Sequence, residues 1–243
     1  MTHKLLILLT LGVSVLARAQ TPEPAPVSPL QATLDRAREA ARSDNADAAV
    51  AELQNMADAG FTSVGVIIGD ADLSMLAGDA GYDKLVADMS RLAYPCEYDE
   101  QFAEFDFWLG KWDVHVASGQ QAGYNEITRA ERGCVLLEDW SNVSGGGGGS
   151  INYVDKITGD WVQVWNDASG SQINIRGGLT DEGMLLVGTL HSVGTGVTTP
   201  FRGLWTPLPD GRVRQFFEQS NDGGETWVSW FDGYYTRQET QDQ

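Results

Sequence analysis

The stretch "FDFWLGKWDVHV", residues 105–116, decides the fold and opens a long region of β-like sequence. Gly110 and Trp112 form a G-x-W pattern at the start of an alternating apolar run, and such alternation is typical of a β-strand. If Trp112 points inward, side-chain alternation sends Val114 inward as well and His115 outward. We therefore expect a strand that starts at a tight turn and carries a large aromatic ring on its inner face.

Short alternating runs continue almost to the end of the chain, and Gly, Asn and Asp interrupt them at turns such as "KITGD", "TDEG" and "LPDGR". The predicted strands lie near 111–117, 122–130, 133–141, 149–155, 161–166, 171–177, 184–191, 197–206, 212–220 and 226–236. A long meander tends to close on itself, because closure removes exposed strand edges. The predicted fold class is mainly β, an antiparallel up-and-down barrel of about ten strands. A two-sheet sandwich is the alternative.

The first residues of the chain predict export. Lys4 precedes the apolar run "LLILLTLGVSVL", and "ARA" ends at Ala19. This order is that of a secretory signal peptide, residues 1–19. An uncleaved anchor is the alternative, but the run is shorter than the roughly 20 apolar residues that a spanning helix needs. We expect a periplasmic or secreted protein.

A helical module separates the leader from the barrel. Residues 20–29 are proline-rich and predict an extended linker, and residues 30–95 are alanine-rich and helical. Two helices before Gly60 resemble one tetratricopeptide-type hairpin, and a further helix is predicted at 79–93. The module is either a packing or spacer unit or the site of a protein partner that binds residues 30–93. The barrel domain follows over residues 102–238, with a tail at 239–243.

The charge balance argues against two classes of partner. The chain has 16 basic and 34 acidic residues, a formal net charge of −18. Removing residues 1–19 removes Lys4 and Arg18, which leaves 14 basic residues against 34 acidic ones, or −20. Such a surface repels nucleic acid and anionic membranes. We expect no nucleic-acid partner and no membrane insertion after signal cleavage.

The two cysteines predict one disulfide. Cys96 and Cys134 are the only cysteines of the sequence, and an even pair in an exported protein suggests a bridge. Two free buried thiols are the alternative. A zinc site needs several ligands close together. We do not expect the two cysteines, His115 and His191 to meet at one place. We expect no bound metal.

The opening and closing strands resemble those of the calycin barrels, the lipocalins and fatty-acid-binding proteins. The resemblance rests on Gly110, Trp112 and the last-strand run "YYTR", which contains Arg237. It implies that Gly110 permits a tight turn, that Trp112 closes the barrel floor and that Arg237 packs across the indole ring.

The region from residue 105 to 237 also resembles a family of uncharacterised exported bacterial proteins, the DUF1579-like group. The matching runs are "FDFWLGKWDV", "GCVLLEDW", "INYVD", "WVQVW", "RGLWTPLPDGRVRQFFE" and "SNDGGETWVSWFDGYYTR". The resemblance implies a bacterial exported barrel and carries no established reaction.

Polar residues within apolar strands predict a ligand site inside the barrel. In "DWVQVWND", alternation places Trp161, Gln163 and Trp165 on one face. We expect that face to line a cavity, because aromatic walls with a few amides suit small-molecule recognition. A packed core face with satisfied amides is the alternative. The predicted ligand-binding residues are Trp140, Asn152, Gln163, Trp165, Arg202, Gln215 and Glu218.

Charged residues in the strands allow structural and enzymatic alternatives. An Arg202–Glu218 or Arg214–Glu138 ion pair would satisfy groups that are costly to bury alone. In an enzyme, Glu138 and Glu218 would form an acid/base pair for glycoside hydrolysis. We expect no catalytic residues and no cofactor.

Haem binding is an alternative function of the barrel, and it rests on a further resemblance. Nitrobindin-type barrels also have ten strands and bind haem through one histidine, a role that His191 could fill here.

Two glycine-containing segments predict turns rather than chemistry. "SNDGGETW", residues 220–227, matches the Asp-box of sialidase-like propellers, but a propeller repeats the box in every blade and this chain has one copy. "SGGGGGS", residues 144–150, lacks the lysine and helix of a phosphate-binding loop. We expect a hairpin in the first and a flexible loop at the barrel rim in the second.

Overall fold

A computed structural model describes residues 28–238, which form a closed ten-stranded antiparallel barrel behind four short helices. The strands are β1 (Gly110–Val116), β2 (Gln121–Ala130), β3 (Val135–Asn142), β4 (Gly147–Val154), β5 (Trp161–Asp167), β6 (Gln172–Thr180), β7 (Gly183–Ser192), β8 (Val197–Pro207), β9 (Val213–Gln219) and β10 (Val228–Arg237). Each strand pairs with its neighbours in sequence, and β1 pairs with β10 to close the barrel. The predicted fold class is confirmed, and the sandwich alternative is wrong.

Closure joins the G-x-W strand to the last strand in the register that brings Trp112 opposite Arg237. The guanidinium carbon of Arg237 lies 4.4 Å from the centroid of the indole ring, and its Nη1 donates a hydrogen bond to the carbonyl of Leu109. Gly110 has a φ of +129°, and a Cβ there would lie 2.5 Å from Nη1 of Arg237. A larger residue at position 110 would therefore displace the guanidinium group of Arg237 from the ring of Trp112.

The helical module contains α1 (Pro29–Arg42), α2 (Ala46–Asp58), α3 (Val64–Ile68) and α4 (Ala80–Ala93). Its own core packs Leu34, Leu53, Met56, Ile67 and Leu85, together with small residues of α1 and α2. Asp79 caps α4 by accepting hydrogen bonds from the backbone N–H groups of Gly81 and Tyr82. Leu92 of the same helix is 75% exposed, so it lies on the face away from this core.

Three short 3-10 turns, Pro95–Glu97, Glu100–Ala103 and Asp106–Trp108, connect the module to β1 and form what we call the plug. The plug inserts Phe102, Phe105 and Trp108 into the barrel core, where all three side chains are buried. The Cys96–Cys134 disulfide joins the plug to the segment just before β3, which confirms the predicted bridge. The plug therefore closes one end of the barrel and is covalently attached to it.

The glycine-rich run differs from its prediction. Within this run only residues 144–146 lie outside a strand, and Gly147 to Ser150 begin strand β4. A Cβ on Gly148 would lie 2.5 Å from Cζ2 of Trp165 and 2.6 Å from the carbonyl oxygen of Asn166. Residues 147–150 form a strand because their small side chains let the neighbouring strands and the ring of Trp165 approach closely.

Several predictions lie outside the described residues. They are the signal peptide at 1–19, most of the linker at 20–29 and the tail at 239–243. Within residues 28–238, no helix is long and apolar enough to cross a membrane.

Candidate functional site

The two ends of the barrel differ in how they are filled. The plug end, which we call the floor, contains five aromatic side chains that are essentially inaccessible: Phe105, Trp108, Trp112, Trp161 and Trp205. Phe105 stacks on Trp108 at 4.9 Å and meets the rings of Trp161 and Trp205 edge-on. The floor is a packed aromatic core, and any ligand must enter from the other end.

A cavity of about 120 Å³ lies inside the barrel towards the opposite end. Its walls are mostly aromatic and apolar, and its polar groups come from four strands. The lining residues are Glu138, Trp140, Gln163, Trp165, Ile173, Gln215, Phe217, Trp230, Phe231 and Tyr235. Pockets for drug-sized ligands measure roughly 300–1,000 Å³, whereas an engineered apolar cavity of about 150 Å³ binds benzene. This space therefore suits one small ring or a compact branched group.

The cavity continues outward into a vestibule of about 380 Å³, which we call the mouth. Trp165, Ile173 and Trp230 line both spaces, so the two are adjacent. The remaining mouth residues are Asp167, Ser171, Leu190, Ser192, Thr195, Val197, Thr199, Gln219 and Asn221. Trp230 is 49% exposed and stands at the boundary between cavity and solvent. A ligand with a body longer than one ring can extend through the mouth.

A chain of buried hydrogen bonds crosses the barrel beside the cavity. Gln163 donates to Oδ1 of Asn152 at 2.9 Å, and Asn152 donates to Oγ of Ser150 at 2.8 Å. The hydroxyl of Ser150 then donates to Oε2 of Glu138 at 2.6 Å. Asn125 donates to Oε1 of Glu138 at 2.7 Å. The two arms thus converge on the Glu138 carboxyl group.

The second arm continues away from Glu138. Nδ2 of Asn125 also donates to the hydroxyl of Tyr235 at 3.2 Å, and that hydroxyl donates to Oε1 of Gln215. Oδ1 of Asn125 is buried and has no hydrogen-bond partner among the described residues. Gln163, Gln215, Glu138 and Tyr235 therefore present the polar edge of the cavity.

Burial changes the acidity of two groups in this network. It raises the pKa of Glu138 from 4.5 to about 7, since the hydrogen bonds from Ser150 and Asn125 offset only part of the desolvation of the charged form. Burial and the charge of Glu138 raise the pKa of Tyr235 well above its ordinary value. Near neutral pH the Glu138 carboxyl group is therefore close to the midpoint of its titration.

Four of the predicted ligand-binding residues line the cavity. Trp140, Gln163, Trp165 and Gln215 face it, and Asn152 is buried in the adjoining hydrogen-bond chain. Arg202 and Glu218 lie on the outer face instead, where Nε of Arg202 donates to Oε2 of Glu218 at 2.7 Å. The structure does not bring these two to the cavity, because Phe201 and Trp205 occupy the inner face of β8 and alternation turns Arg202 outward.

The two glutamates of the hydrolytic alternative lie on opposite faces of the barrel wall. Glu138 is buried inside, whereas Glu218 is paired with Arg202 outside. They do not face one common site, so they do not form the pair that glycoside hydrolysis needs. The alternative Arg214–Glu138 ion pair is also absent from residues 28–238, because Arg214 binds Asp232 on the outer face at 2.7 Å.

The structure places His191 outside the cavity. Its neighbour Leu190 lines the mouth, and Nδ1 of His191 lies 2.9 Å from Oγ1 of Thr198 on the adjacent strand. A histidine on this face does not reach a haem inside the barrel, and the cavity is too small for a macrocycle. Among the described residues, no group of three or more His, Cys, Asp or Glu side chains could hold a metal ion.

The Asp-box segment forms the β9–β10 hairpin at the mouth. Asp222 accepts hydrogen bonds from the backbone N–H of Thr226 at 2.8 Å and from the hydroxyl of Ser220 at 2.7 Å. The Thr226 hydroxyl also donates to Asp222, and this bond, followed by the other two, lowers the pKa of Asp222 and holds the turn. Asn221 of the same segment lines the mouth. The hairpin therefore positions one polar group at the entrance.

Sequence reasoning missed Ile173 and four aromatic residues of the cavity wall, Phe217, Trp230, Phe231 and Tyr235, and it considered Glu138 only in the ion-pair and enzymatic alternatives. The run "VSWFDGYY" has aromatic residues at both parities, so simple alternation does not assign its faces. A bulge between Ser229 and Phe231 shifts the register of β10 against β9. The bulge brings Trp230 to the mouth and Phe231 to the cavity.

No protein-family model matches the chain, and no curated protein matches its sequence.

Proposed function

We propose that this chain is an exported protein whose barrel binds a small, partly apolar molecule without transforming it. The observation that carries the proposal is the cavity inside the barrel, with aromatic walls and a polar edge formed by Glu138, Gln163, Gln215 and Tyr235. Such a combination is the usual form of a small-molecule site, in which apolar walls provide affinity and few polar groups fix orientation. The connected mouth provides a route of entry.

The export part of the proposal rests on the leader-like first residues and on the disulfide. Disulfides persist in oxidising compartments and are rare in the cytosol. The Cys96–Cys134 bridge is therefore compatible with a periplasmic or secreted location. The motif resemblance to the DUF1579-like group supports the same location in a bacterium.

The first experiment is native mass spectrometry of the mature chain beside a denatured sample. We expect an extra mass that is retained in native conditions and lost on denaturation. The variant Ile173→Phe places a larger side chain in the wall shared by cavity and mouth, and we expect it to lose the extra mass. Ile151→Phe is the matched control, because Ile151 is half exposed on the outer wall.

Circular dichroism must show that both variants are folded. A clean apo mass for the parent protein, together with no binding of small aromatic probes, would contradict the proposal. Retention of the same mass in Ile173→Phe would place the ligand elsewhere.

An enzyme is the second candidate, and the observation that favours it is a cavity-lining carboxyl group whose pKa is close to 7. A general base works best when its pKa is near the working pH. Glu138 alone, without Glu218, would then accept a proton from the substrate. Loss of turnover in Glu138→Gln with binding retained would favour this candidate over simple binding.

A protein-interaction role of residues 30–93 is the third candidate. Val66, Ile68 and Met75 of the helical module are about half exposed or more. Capture of one partner by this module, with an empty barrel, would favour it.

A further inference from the structure

The charged groups around the cavity all have one sign. The residues that line the cavity and the mouth include Glu138 and Asp167, and neither set contains a lysine, arginine or histidine. Arg202 and Arg214, on strands β8 and β9, are held on the outer face by Glu218 and Asp232, and Arg237 packs on the ring of Trp112 at the floor. A ligand with a carboxylate or phosphate would therefore find no cation to pair with inside the barrel.

Glu138 is the only Asp, Glu, Lys or Arg among the buried residues of the described chain. Its two hydrogen-bond donors, Ser150 and Asn125, are neutral, and both point their donors at the carboxyl oxygens. A carboxylate has about four lone-pair sites, so about two remain after these bonds. The network is thus arranged for an ionised carboxylate that lacks a positive partner, and burying such a charge alone is costly.

Aromatic rings line the same cavity as this carboxyl group. Trp140 and Phe231 meet edge-to-face at 6.2 Å, and Phe217 lies 6.4 Å from Phe231 and 6.2 Å from Trp230, between ring centroids. The faces of such rings attract organic cations, and the attraction is strongest where water is excluded. The net charge of −18 adds a long-range field that attracts cations to the molecule.

We propose that the cavity selects a small organic cation, a protonated amine with a compact apolar body, whose ammonium group binds Glu138 within the aromatic walls. This inference rests on the proposed binding function and specifies its ligand class. The ammonium N–H groups supply the donors that the carboxylate still lacks, and the apolar body occupies the space beside Trp165 and Ile173. A longer substituent extends through the mouth past Trp230.

The test compares two probes of similar size, benzylamine and benzyl alcohol, by tryptophan fluorescence and calorimetry at pH 8. We expect benzylamine to bind about tenfold or more tightly than the alcohol, as a charged hydrogen bond plus a cation–π contact predict. In Glu138→Gln the preference should fall to about threefold or less. Glu218→Gln is the matched control, because it removes the same charge from the outer face and should leave the preference unchanged.

A second measurement uses only the parent protein and so does not depend on how a variant folds. Since the pKa of Glu138 is about 7, binding of a cation at pH 7 should release roughly half a proton from that carboxyl group. Tyr235 is the other titratable group of the network, and its raised pKa keeps it protonated throughout. Calorimetry in buffers of different ionisation enthalpy measures this release. Benzyl alcohol should release none.

The outcomes separate the two proposals. Equal binding of both probes, or a preference that survives in Glu138→Gln, overturns the cation inference and leaves the binding function standing. Binding of benzylamine without proton release also overturns it. If neither probe binds and the native mass is clean, both proposals fail.

Discussion

The floor and the mouth of this barrel are built from the same kind of side chain with opposite results. At the floor, Trp108, Trp112 and Trp205 are completely buried and leave no space. Around the cavity below the mouth, Trp140, Trp165 and Trp230 remain partly exposed. The difference arises because the plug adds Phe102, Phe105 and Trp108 to one end, whereas no segment of residues 28–238 does so at the other. Aromatic content alone therefore does not predict a binding site.

The largest expected effect comes from breaking the floor. Trp108→Ala removes a ring that stacks on Phe105, and we expect it to lower the free energy of unfolding by about 3–5 kcal/mol. Trp165→Ala, at the mouth, should cost less, because its ring already faces a cavity. Urea denaturation of both variants measures the difference. Equal losses for the two would contradict the distinction between a packed floor and an open mouth.

Releasing the plug should have the next largest effect. The disulfide joins cysteines 38 residues apart, and a loop of that length predicts a loss of about 2–4 kcal/mol for Cys96→Ser with Cys134→Ser. The plug should also become more mobile than the mouth, which hydrogen exchange of residues 95–108 would measure. Unchanged exchange there would mean that aromatic packing alone holds the floor. A mass comparison of reduced and non-reduced protein checks the bridge itself.

The smallest expected effect concerns the polar edge of the cavity. The pKa of Glu138 is about 7 in the folded protein against an ordinary 4.5, so the folded state binds more protons between those values. Stability should therefore fall as pH rises from about 4.5 to 7, by roughly 1–3 kcal/mol. Glu138→Gln should remove this slope from a series of melting or denaturant measurements across that range.

Glu218→Gln serves as the control for that series, since the outer-face carboxylate is not part of the buried network. It should keep the fall in stability that the parent shows. A Glu138→Gln variant with the full parental slope would mean that another group causes the pH dependence.

Much of the fold could be predicted because its signals are local. Alternation along each run placed the ten strands within a few residues of their observed bounds, and G-x-W with Arg237 located the closing pair. The plug was not predicted, because "EYDEQFAEFDFW" has no regular period and its three turns form only when their aromatic rings enter the barrel. Helix α3 was also missed, since five residues are too few to establish a helical period.

The site was predicted only in part. Trp140, Gln163, Trp165 and Gln215 were identified from aromatic and amide residues on one strand face, and they do line the cavity. Arg202 and Glu218 were selected as polar residues among apolar ones. Because Phe201 and Trp205 point inward, alternation turns Arg202 to the outer face. This orientation could have been predicted from the sequence.

The sequence by itself determined the strand order, the inner aromatic residues of β1 and β5, and the overall negative charge, because each depends on neighbours along the chain or on simple counting. Only the tertiary structure decided that Glu138 is the convergence point of a buried network and that Arg202 and Arg214 are neutralised outside. Those outcomes depend on cross-strand register, which brings Asn125, Glu138 and Ser150 side by side from three strands. Register around a closed barrel is a property of the whole circle of strands, and no single run of residues specifies it.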